Sequence, residues 1–436
     1  MSHAPETAPL LGNNSSHSTT LPPSSPTSQH PPLQDVSRQL AFKISAAMFS
    51  FFTLGLFNSS IGALLPSLST FYSLTDTHVS LIFLVGPVGY ILAAQTSSVV
   101  HYYFGQFGVA LAGPLLQLVA AAVLATHPKF GLVLLGAAVQ GLGTGLLDGS
   151  WCAWAGAMES ASTVSGLLHG SYSVGAAVAP VIVTLMVERG RGWWEWYYVL
   201  AVLAIVETAA LVSAFWGESA AAYRQNHPSE DTKPRSKEVL KYLATWVCAA
   251  YFLADVGVET AISGWIVSFM LRSRSASSYL AGLSSSGFWA GMAVGRLVLG
   301  PLTDRLGVRR ATALYFALAV LTEVLFAVLH DAVVSVLLMV VLGFLMGPLF
   351  PSGVIVLTQL LPVELHVAAV SFVASLGQVG GALLPFGIGA VVEGLGIGVF
   401  RYAILVQSVL AMLLWVIFAR LRPAVFAAQR SSDRED

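Results

Sequence analysis

Residues 300–310 read Gly-Pro-Leu-Thr-Asp-Arg-Leu-Gly-Val-Arg-Arg, a short polar and basic turn between two long apolar stretches. The flanking stretches, 279–300 and 309–329, each have about the 20 residues that cross a bilayer as a helix. Only 10% of the 436 residues are charged, whereas a soluble domain carries about a quarter. The chain is therefore predicted to be a multi-pass membrane protein. Its net charge of −1 argues against a basic nucleic-acid binder.

Apolar stretches long enough to cross a membrane recur along nearly the whole chain, and we count twelve. They cover 42–66, 77–99, 108–126, 130–154, 164–187, 194–216, 240–270, 279–300, 309–329, 332–356, 366–390 and 399–420. The polar segment 217–238 divides six spans from six, which predicts bundles at 41–216 and 239–422. Residues 1–40, rich in Ser, Thr and Pro, are predicted to form a disordered tail, and residues 423–436 form a second tail.

The distribution of Lys and Arg predicts the orientation. If the N-terminus is cytoplasmic, 15 of the 21 cations fall inside and 6 fall outside, as the positive-inside rule requires. Both termini are then cytoplasmic, and the plasma membrane is the favoured location. Glu6, Leu10 and Leu11 fit an acidic dileucine sorting pattern, which keeps a vacuolar or endosomal membrane as an alternative.

The two halves of the chain resemble each other. The spacing Gly-x4-Pro-x7-Glu begins at Gly175 and again at Gly380, an offset of 205 residues. A pair of glycines four residues apart in span four recurs in span ten at an offset of 202. A six-plus-six duplication is typical of transporters whose halves rock about a central site.

The turn at 300–310 resembles the signature loop of the major facilitator superfamily, G-x-L-x-D-R-x-G-R-R, and it lies between spans eight and nine as in that family. The resemblance implies an all-α membrane fold of twelve helices in two pseudo-symmetric six-helix bundles. It also implies gating roles for Gly300, Asp304, Arg305, Gly307, Arg309 and Arg310. The alternative is a basic turn that only fixes topology. The equivalent loop of the first half, 98–108, has neither the acid nor the arginines.

Within the superfamily, the chain resembles the fucose-permease branch and its fungal relatives in four segments: 58–66, 141–148, 169–175 and 257–265. The resemblance implies a sugar or a similar polyhydroxylated solute. The bacterial permease has a proton-handling acid in span one, where this chain has Gly62, and an acid in span four, which is matched by Asp148. The missing acid leaves proton coupling open.

Ionisable groups inside spans are costly, and they usually face a cavity or one another. Asp148 in span four is a candidate proton or hydroxyl acceptor, with a structural acid as the alternative. Asp255 and Glu259 are four apart in span seven and share a face, so repulsion disfavours ionisation of both. Both are candidates for proton coupling, and Glu259 also for substrate binding. The alternative is that Asp255 lies in an aqueous vestibule and only Glu259 is buried.

Neutral polar and aromatic groups on the inner helices complete the predicted site. Each can hydrogen-bond or stack on a sugar, and each can instead be a packing group. The predicted substrate-binding set is Asn58, Gln140, His169, Tyr172, Glu259, Trp265 and Gln378. We interpret Glu207 and Glu323, which fall on peripheral helices, as structural.

The sequence predicts a secondary active transporter that carries a sugar or a similar small polar solute by alternating access, as a monomer in the lipid bilayer. No lysine follows a glycine as in a P-loop, and no metal-ligand or nucleophile pattern occurs, so we expect no enzyme activity, cofactor or metal. Two alternatives stay open. One is an exporter of an amphiphilic metabolite or drug, and the other is a transport-silent nutrient receptor.

Overall fold

The computed structural model describes residues 33–158, 161–226, 236–362 and 365–422, and these residues form helices and turns without a strand. Eleven segments of the described chain are long and apolar enough to cross a membrane. The remaining predicted span is the helix Ser278–Leu306, which has the length for a crossing but carries Arg296 and three consecutive serines. The all-helical membrane fold expected from the sequence is confirmed. The sorting pattern at residues 6–11 lies outside the described residues.

The first half of the chain places each of its six predicted spans in a helix. The first helix begins within the predicted tail, and α3 consists of two helices, one for the second span and one for the third, which meet at the non-helical Gly105, where φ is +69°. The helices of this half are α1 Leu33–Tyr72, the short α2 Asp76–Ser80, α3 Ile82–Ala125, α4 Phe130–Gly156, α5 Ala161–Glu188 and α6 Glu195–Ala214.

The second half follows two short helices of the central loop. The predicted tenth span is broken at Gly347 and Pro348, because a proline has no N–H with which to continue a helix. The helices are α7 Ala220–Asn226, α8 Ser236–Val239, α9 Leu243–Ser273, α10 Ser278–Leu306, α11 Val308–Val328, α12 Ala332–Met346, α13 Leu349–Leu360, α14 His366–Leu395 and α15 Phe400–Ala419.

The internal repeat is also a repeat of helix packing. A Cβ on Gly175 of α5 would lie 2.0 Å from the carbonyl oxygen of Phe52 in α1. A Cβ on Gly380 of α14 would lie 1.9 Å from the carbonyl oxygen of Leu253 in α9. The same glycine therefore allows the same close helix approach in each half. Phe52 and Leu253 are 201 residues apart, and this offset relates α1 to α9.

The first described helix begins at Leu33 and the last ends at Ala419, and both points lie on one side of the bundle because the number of crossings is even. We call this side the terminal side and the opposite side the far side. The turn between the second and third spans lies on the terminal side, where the central loop holds it. The N–H of Phe107 donates to the carbonyl of Glu218 at 3.1 Å, and Arg224 donates to the carbonyl of Tyr102 at 2.9 Å.

Candidate functional site

A chain of three polar side chains crosses the centre of the first half. The amide of Gln140 on α4 donates to Oδ1 of Asn58 on α1 at 3.2 Å. The amide nitrogen of Asn58 donates to the hydroxyl of Tyr172 on α5 at 3.3 Å. Asn58 and Tyr172 are half-buried, whereas Gln140 is buried. The structure thus brings three of the predicted substrate-binding residues, from three helices, into one hydrogen-bonded group.

Glu259 is the counterpart of Asn58 in the second half. The offset of 201 residues that relates α1 to α9 also relates Asn58 to Glu259. Both lie one turn from the point where α1 meets α9, since a Cβ on Gly62 would lie 2.0 Å from the carbonyl oxygen of Ser263. Residues four apart on a helix share a face. Glu259 is half-buried and close enough to interact electrostatically with Tyr172, so it faces the polar group of the first half.

Asp255 lies deeper than Glu259, one turn toward the terminal side. Its side chain is only 3% exposed, and its Oδ1 has no hydrogen-bond partner. The alternative that Asp255 lies in an aqueous vestibule, with only Glu259 buried, is therefore wrong. The burial follows from the position of α9, the most buried of the described helices that are long and apolar enough to cross a membrane.

The aromatic ring beside this group belongs to Trp289 and not to Trp265. The Trp289 and Tyr172 rings meet edge to face at 5.7 Å, and the Trp289 indole donates to Oγ of Ser263 at 3.1 Å. Trp265 is fully buried and donates to the carbonyl of Pro385 at 2.8 Å, so no face of its ring is open to a solute in this conformation.

Gln378, also predicted to bind substrate, is half-buried on α14, and within the described part of the chain it has no hydrogen-bond partner.

A second polar group surrounds Asp148, closer to the terminal side. The hydroxyl of Tyr90 on α3 donates to Asp148 Oδ2 at 2.6 Å. The thiol of Cys152, one turn along α4, lies 3.7 Å from Asp148 Oδ1 and 3.8 Å from Nε2 of His169 on α5. Asp148 and His169 are also close enough to interact electrostatically. The structure therefore joins two predicted site residues through a thiol.

Arg296 on α10 lies between the two halves. Its Nη1 donates to Oγ of Ser173 at 2.7 Å and to the carbonyl oxygen of His169 at 3.5 Å, both on α5. The guanidinium also interacts electrostatically with Asp255 and Glu259. No acid of the described chain forms an ion pair with it. Arg296 is therefore a cation inside a predicted span, toward the terminal side of the polar centre, with carboxyl groups near it and none in contact.

Sequence reasoning missed this residue because it counted Arg296 among the cytoplasmic loop cations. Arg296 lies ten residues before the end of α10 at Leu306, well inside the helix. Fourteen cations then remain on the predicted cytoplasmic side against six, and the bias persists. The signal available in the sequence was an arginine four residues before Gly300, within an otherwise uncharged stretch.

Gly62, predicted to match an acid of the bacterial fucose permease, is packed too closely to carry a side chain. A Cβ there would meet backbone atoms of α9, 2.0 Å from Ser263 O and 2.9 Å from Gly264 Cα. Backbone atoms cannot move aside as a flexible side chain can. In this conformation no residue larger than glycine fits at position 62.

The loop at 300–310 is only partly engaged. Arg309 donates to the carbonyl oxygens of Ala419 and Leu421 at 2.8 and 3.0 Å, at the end of α15. Gly307 has a φ of +81°, which favours glycine and ends α10. Asp304 is exposed and has no described partner, and Arg305 is likewise exposed.

Two further residues have a predicted gating role. Arg310 is exposed, and the space beside Gly300 is open, so no other helix approaches this glycine closely in this conformation.

Two further acids are buried away from the centre. Glu207 accepts a hydrogen bond from Ser50 at 2.6 Å, and Glu323 accepts one from Ser408 at 2.7 Å. Both acids are fully buried, and each has one oxygen without a partner. This arrangement fits the structural interpretation. No three His, Cys, Asp or Glu side chains of the described chain are grouped as a metal site needs.

Comparisons with known proteins agree with this fold. A family model of the Major Facilitator Superfamily matches residues 247–435. Bypass of stop codon protein 6 of Saccharomyces cerevisiae is 28% identical and covers 87% of this chain and 82% of its own. The glucose/mannose transporter GlcP of Bacillus subtilis is 20% identical, covering 78% and 85%. The cis,cis-muconate transport protein of Acinetobacter baylyi is 24% identical, covering 54% and 59%.

Among solved structures, a mutant form of the nucleoside transporter NupG superposes with a TM-score of 0.70 at 13% identity, covering 86% of this chain and 98% of its own. That likeness supports the fold alone. The finer assignment to the fucose-permease branch stays a prediction. The match of residues 247–435 to the family model, the curated relatives, the all-helical fold and the turn at 300–310 point the same way: the chain is similar to transporters of the major facilitator superfamily and has their all-α membrane fold.

Proposed function

We propose that the chain is a secondary active transporter that carries a sugar or a similar small polyhydroxylated solute by alternating access. The observation that carries this proposal is the hydrogen-bonded group of Asn58, Gln140 and Tyr172, which faces Glu259 of the other half. Amides, a phenol and a carboxyl group together supply the donors and acceptors that hydroxyl groups need. Polar groups inside a membrane protein are costly, and they usually mark a solute pathway.

The relatives support a small polar solute. One is a glucose/mannose transporter and another is a muconate transport protein, so both carry hydrophilic molecules. The polar centre also favours this class over an amphiphile exporter, for which a mostly apolar cavity is expected. Proton coupling is part of the proposal, with Asp148 and Glu259 as carriers. We further propose that the chain lies in the plasma membrane with both termini cytoplasmic. A membrane-impermeant thiol reagent tests this orientation by comparing the labelling of a cysteine at position 129, in place of Lys129, with that of a cysteine in place of Arg310.

The function is tested by uptake of radiolabelled sugars in a host without hexose uptake. We expect the wild-type chain to restore saturable uptake of at least one sugar. Tyr172→Phe removes the hydroxyl that Asn58 contacts and keeps the ring on Trp289, so uptake should fall roughly fivefold, the worth of about one hydrogen bond. Tyr198→Phe is the matched control, because Tyr198 is 56% exposed. No uptake of any sugar at normal surface expression would contradict the proposal.

A further inference from the structure

Arg296 is half-buried inside α10, within the predicted span 279–300, and only its Nη1 has a described partner. Nε and Nη2 make no hydrogen bond to the described chain. A cation at this depth is costly unless something pairs with it. No described acid forms an ion pair with Arg296, so the described chain does not supply a partner for this charge.

The position of Arg296 on α10 relates it to the polar centre. Trp289 and Arg296 are seven residues apart, which is about two turns, so they share one face of the helix. Trp289 contacts the ring of Tyr172, and Arg296 contacts Ser173 on the same helix α5. One face of α10 therefore presents an aromatic ring and a cation to α5, the helix that carries Tyr172 of the hydrogen-bonded group.

We propose that Arg296 binds a carboxylate of the transported solute, so that the solute is a polyhydroxylated acid such as a sugar acid. A guanidinium presents two parallel N–H groups whose geometry matches a carboxylate. The hydroxyl groups of the same solute contact Asn58, Gln140 and Tyr172. The inference rests on the proposed function, because it assigns a chemical class to the solute of that same site.

Asp255 and Glu259 compete with the solute for the guanidinium, because both feel its charge. Neither carboxyl group forms an ion pair with Arg296 in this structure. A solute carboxylate in direct bidentate contact with the guanidinium would bind it more strongly than these acids attract it at a distance. The hydrogen bond from Nη1 to Ser173 fixes one side of the guanidinium, which orients the edge formed by Nε and Nη2. The solute carboxylate, when bound, supplies the ion pair that the described chain lacks.

The test uses the full-length chain reconstituted in liposomes without ATP. Labelled glucose and glucuronate form one matched pair, and glycerol and glycerate form a second, each differing by a carboxylate. We expect the wild-type chain to take up the acid of at least one pair faster than its neutral partner. Arg296→Gln should raise the KM for that acid about tenfold or more, as for a lost charge-assisted hydrogen bond, while neutral uptake changes less than about twofold.

Two further variants separate binding from structure. Arg296→Lys keeps the charge and loses the planar fork, so its KM should lie between those of wild type and Arg296→Gln. It also keeps the test open if Arg296→Gln fails to fold. Ser173→Ala removes the hydrogen bond from Arg296 to the Ser173 hydroxyl but keeps the guanidinium, so preference for the acid should persist. Arg38→Gln, at an exposed arginine on α1, should behave as wild type.

Three results would overturn the proposal. Equal loss of acid and neutral uptake in Arg296→Gln, reproduced by Ser173→Ala, would make Arg296 a structural link between the halves. Uptake of the neutral solutes alone by the wild-type chain would exclude a carboxylate and leave the proposed function standing. Uptake of no member of either pair would overturn this inference and the polyhydroxylated solute class together.

Discussion

The carboxyl group of Asp148 is tied to three helices. Tyr90 on α3 donates to one oxygen, Cys152 on the same helix as Asp148 approaches the other, and His169 on α5 completes the group through that thiol. A carboxyl group held by a phenol and near an imidazole has both a proton acceptor and a route for the proton. This geometry supports the role of proton carrier that we propose for Asp148.

Asp148→Asn tests that role. Asparagine keeps an oxygen for Tyr90 but cannot take up a proton, so accumulation driven by a pH gradient should fall from about tenfold per pH unit to none. Exchange of labelled for unlabelled solute should persist within about twofold. Asp331→Asn is the control, because Asp331 caps α12 through Val334 and asparagine caps a helix equally well. Unchanged pH-driven accumulation in Asp148→Asn refutes the assignment.

Gly62→Ala tests the close contact of α1 with α9. The added methyl group would meet the carbonyl oxygen of Ser263 at 2.0 Å, so it should disfavour this conformation by about 1–3 kcal/mol and slow exchange about tenfold. Gly86→Ala is the matched control, because the space beside Gly86 is open. If Gly62→Ala exchanges solute at the wild-type rate, the contact is not part of the transport cycle.

At the scale of helices, the two halves are held together on the far side. Arg272 at the end of α9 makes two hydrogen bonds to Asp76 of α2, at 2.7 and 3.0 Å. The N–H of Thr77 donates to Glu393 at the end of α14 at 3.0 Å. On the terminal side Asp304 and Arg305 are exposed and have no described partner. This conformation is therefore closed on the far side.

Reversal of the Arg272–Asp76 charges tests this far-side contact. Arg272→Asp or Asp76→Arg alone places like charges together, and a partly exposed pair is worth about 0.2–1 kcal/mol, so each should slow exchange about two- to fivefold. The double reversal should restore the rate. The Arg191–Glu195 pair within the first half is the control, and its reversal should have no effect. A double variant as slow as the single ones contradicts the gating role.

Several features of the helices were not readable from hydropathy. Hydropathy averages over a window, so it located spans two and three but not the non-helical backbone of Gly105 that separates their helices. It likewise hid the break in span ten, although Pro348 was visible in the sequence. The count of spans was predictable because a bilayer requires about 20 apolar residues for every crossing.

At the scale of the whole molecule, the fold was predictable and the contacts of the site only partly so. Repetition and span count pointed to two halves, and the glycines of the repeat pack alike in both. Asn58 and Tyr172 are 114 residues apart, so their contact depends on how α1 and α5 are rotated. Rotation also decides that Trp289 and not Trp265 reaches the centre, and which acid of α9 is the more buried. The spacing of residues along a helix shows which of them share a face, but not which neighbouring helix that face contacts.

We propose that the two halves rock about the polar centre, so that one side opens as the other closes. A solute shifts such an equilibrium only by its difference in affinity for the two states. Two pairs of spin labels report the opening of the two sides. Each pair joins the two halves on one side of the membrane, in a protein whose native cysteines are replaced.

Pulsed electron paramagnetic resonance gives the two distances most directly. One pair is placed on the terminal side at Tyr103 and Arg310, and one on the far side at Lys129 and Tyr279, all exposed positions. When the solute found in the uptake screen is added, we predict that the two distances change in opposite directions and with the same solute dependence. Distances that stay constant, or that lengthen or shorten together, would contradict alternating access by these two halves.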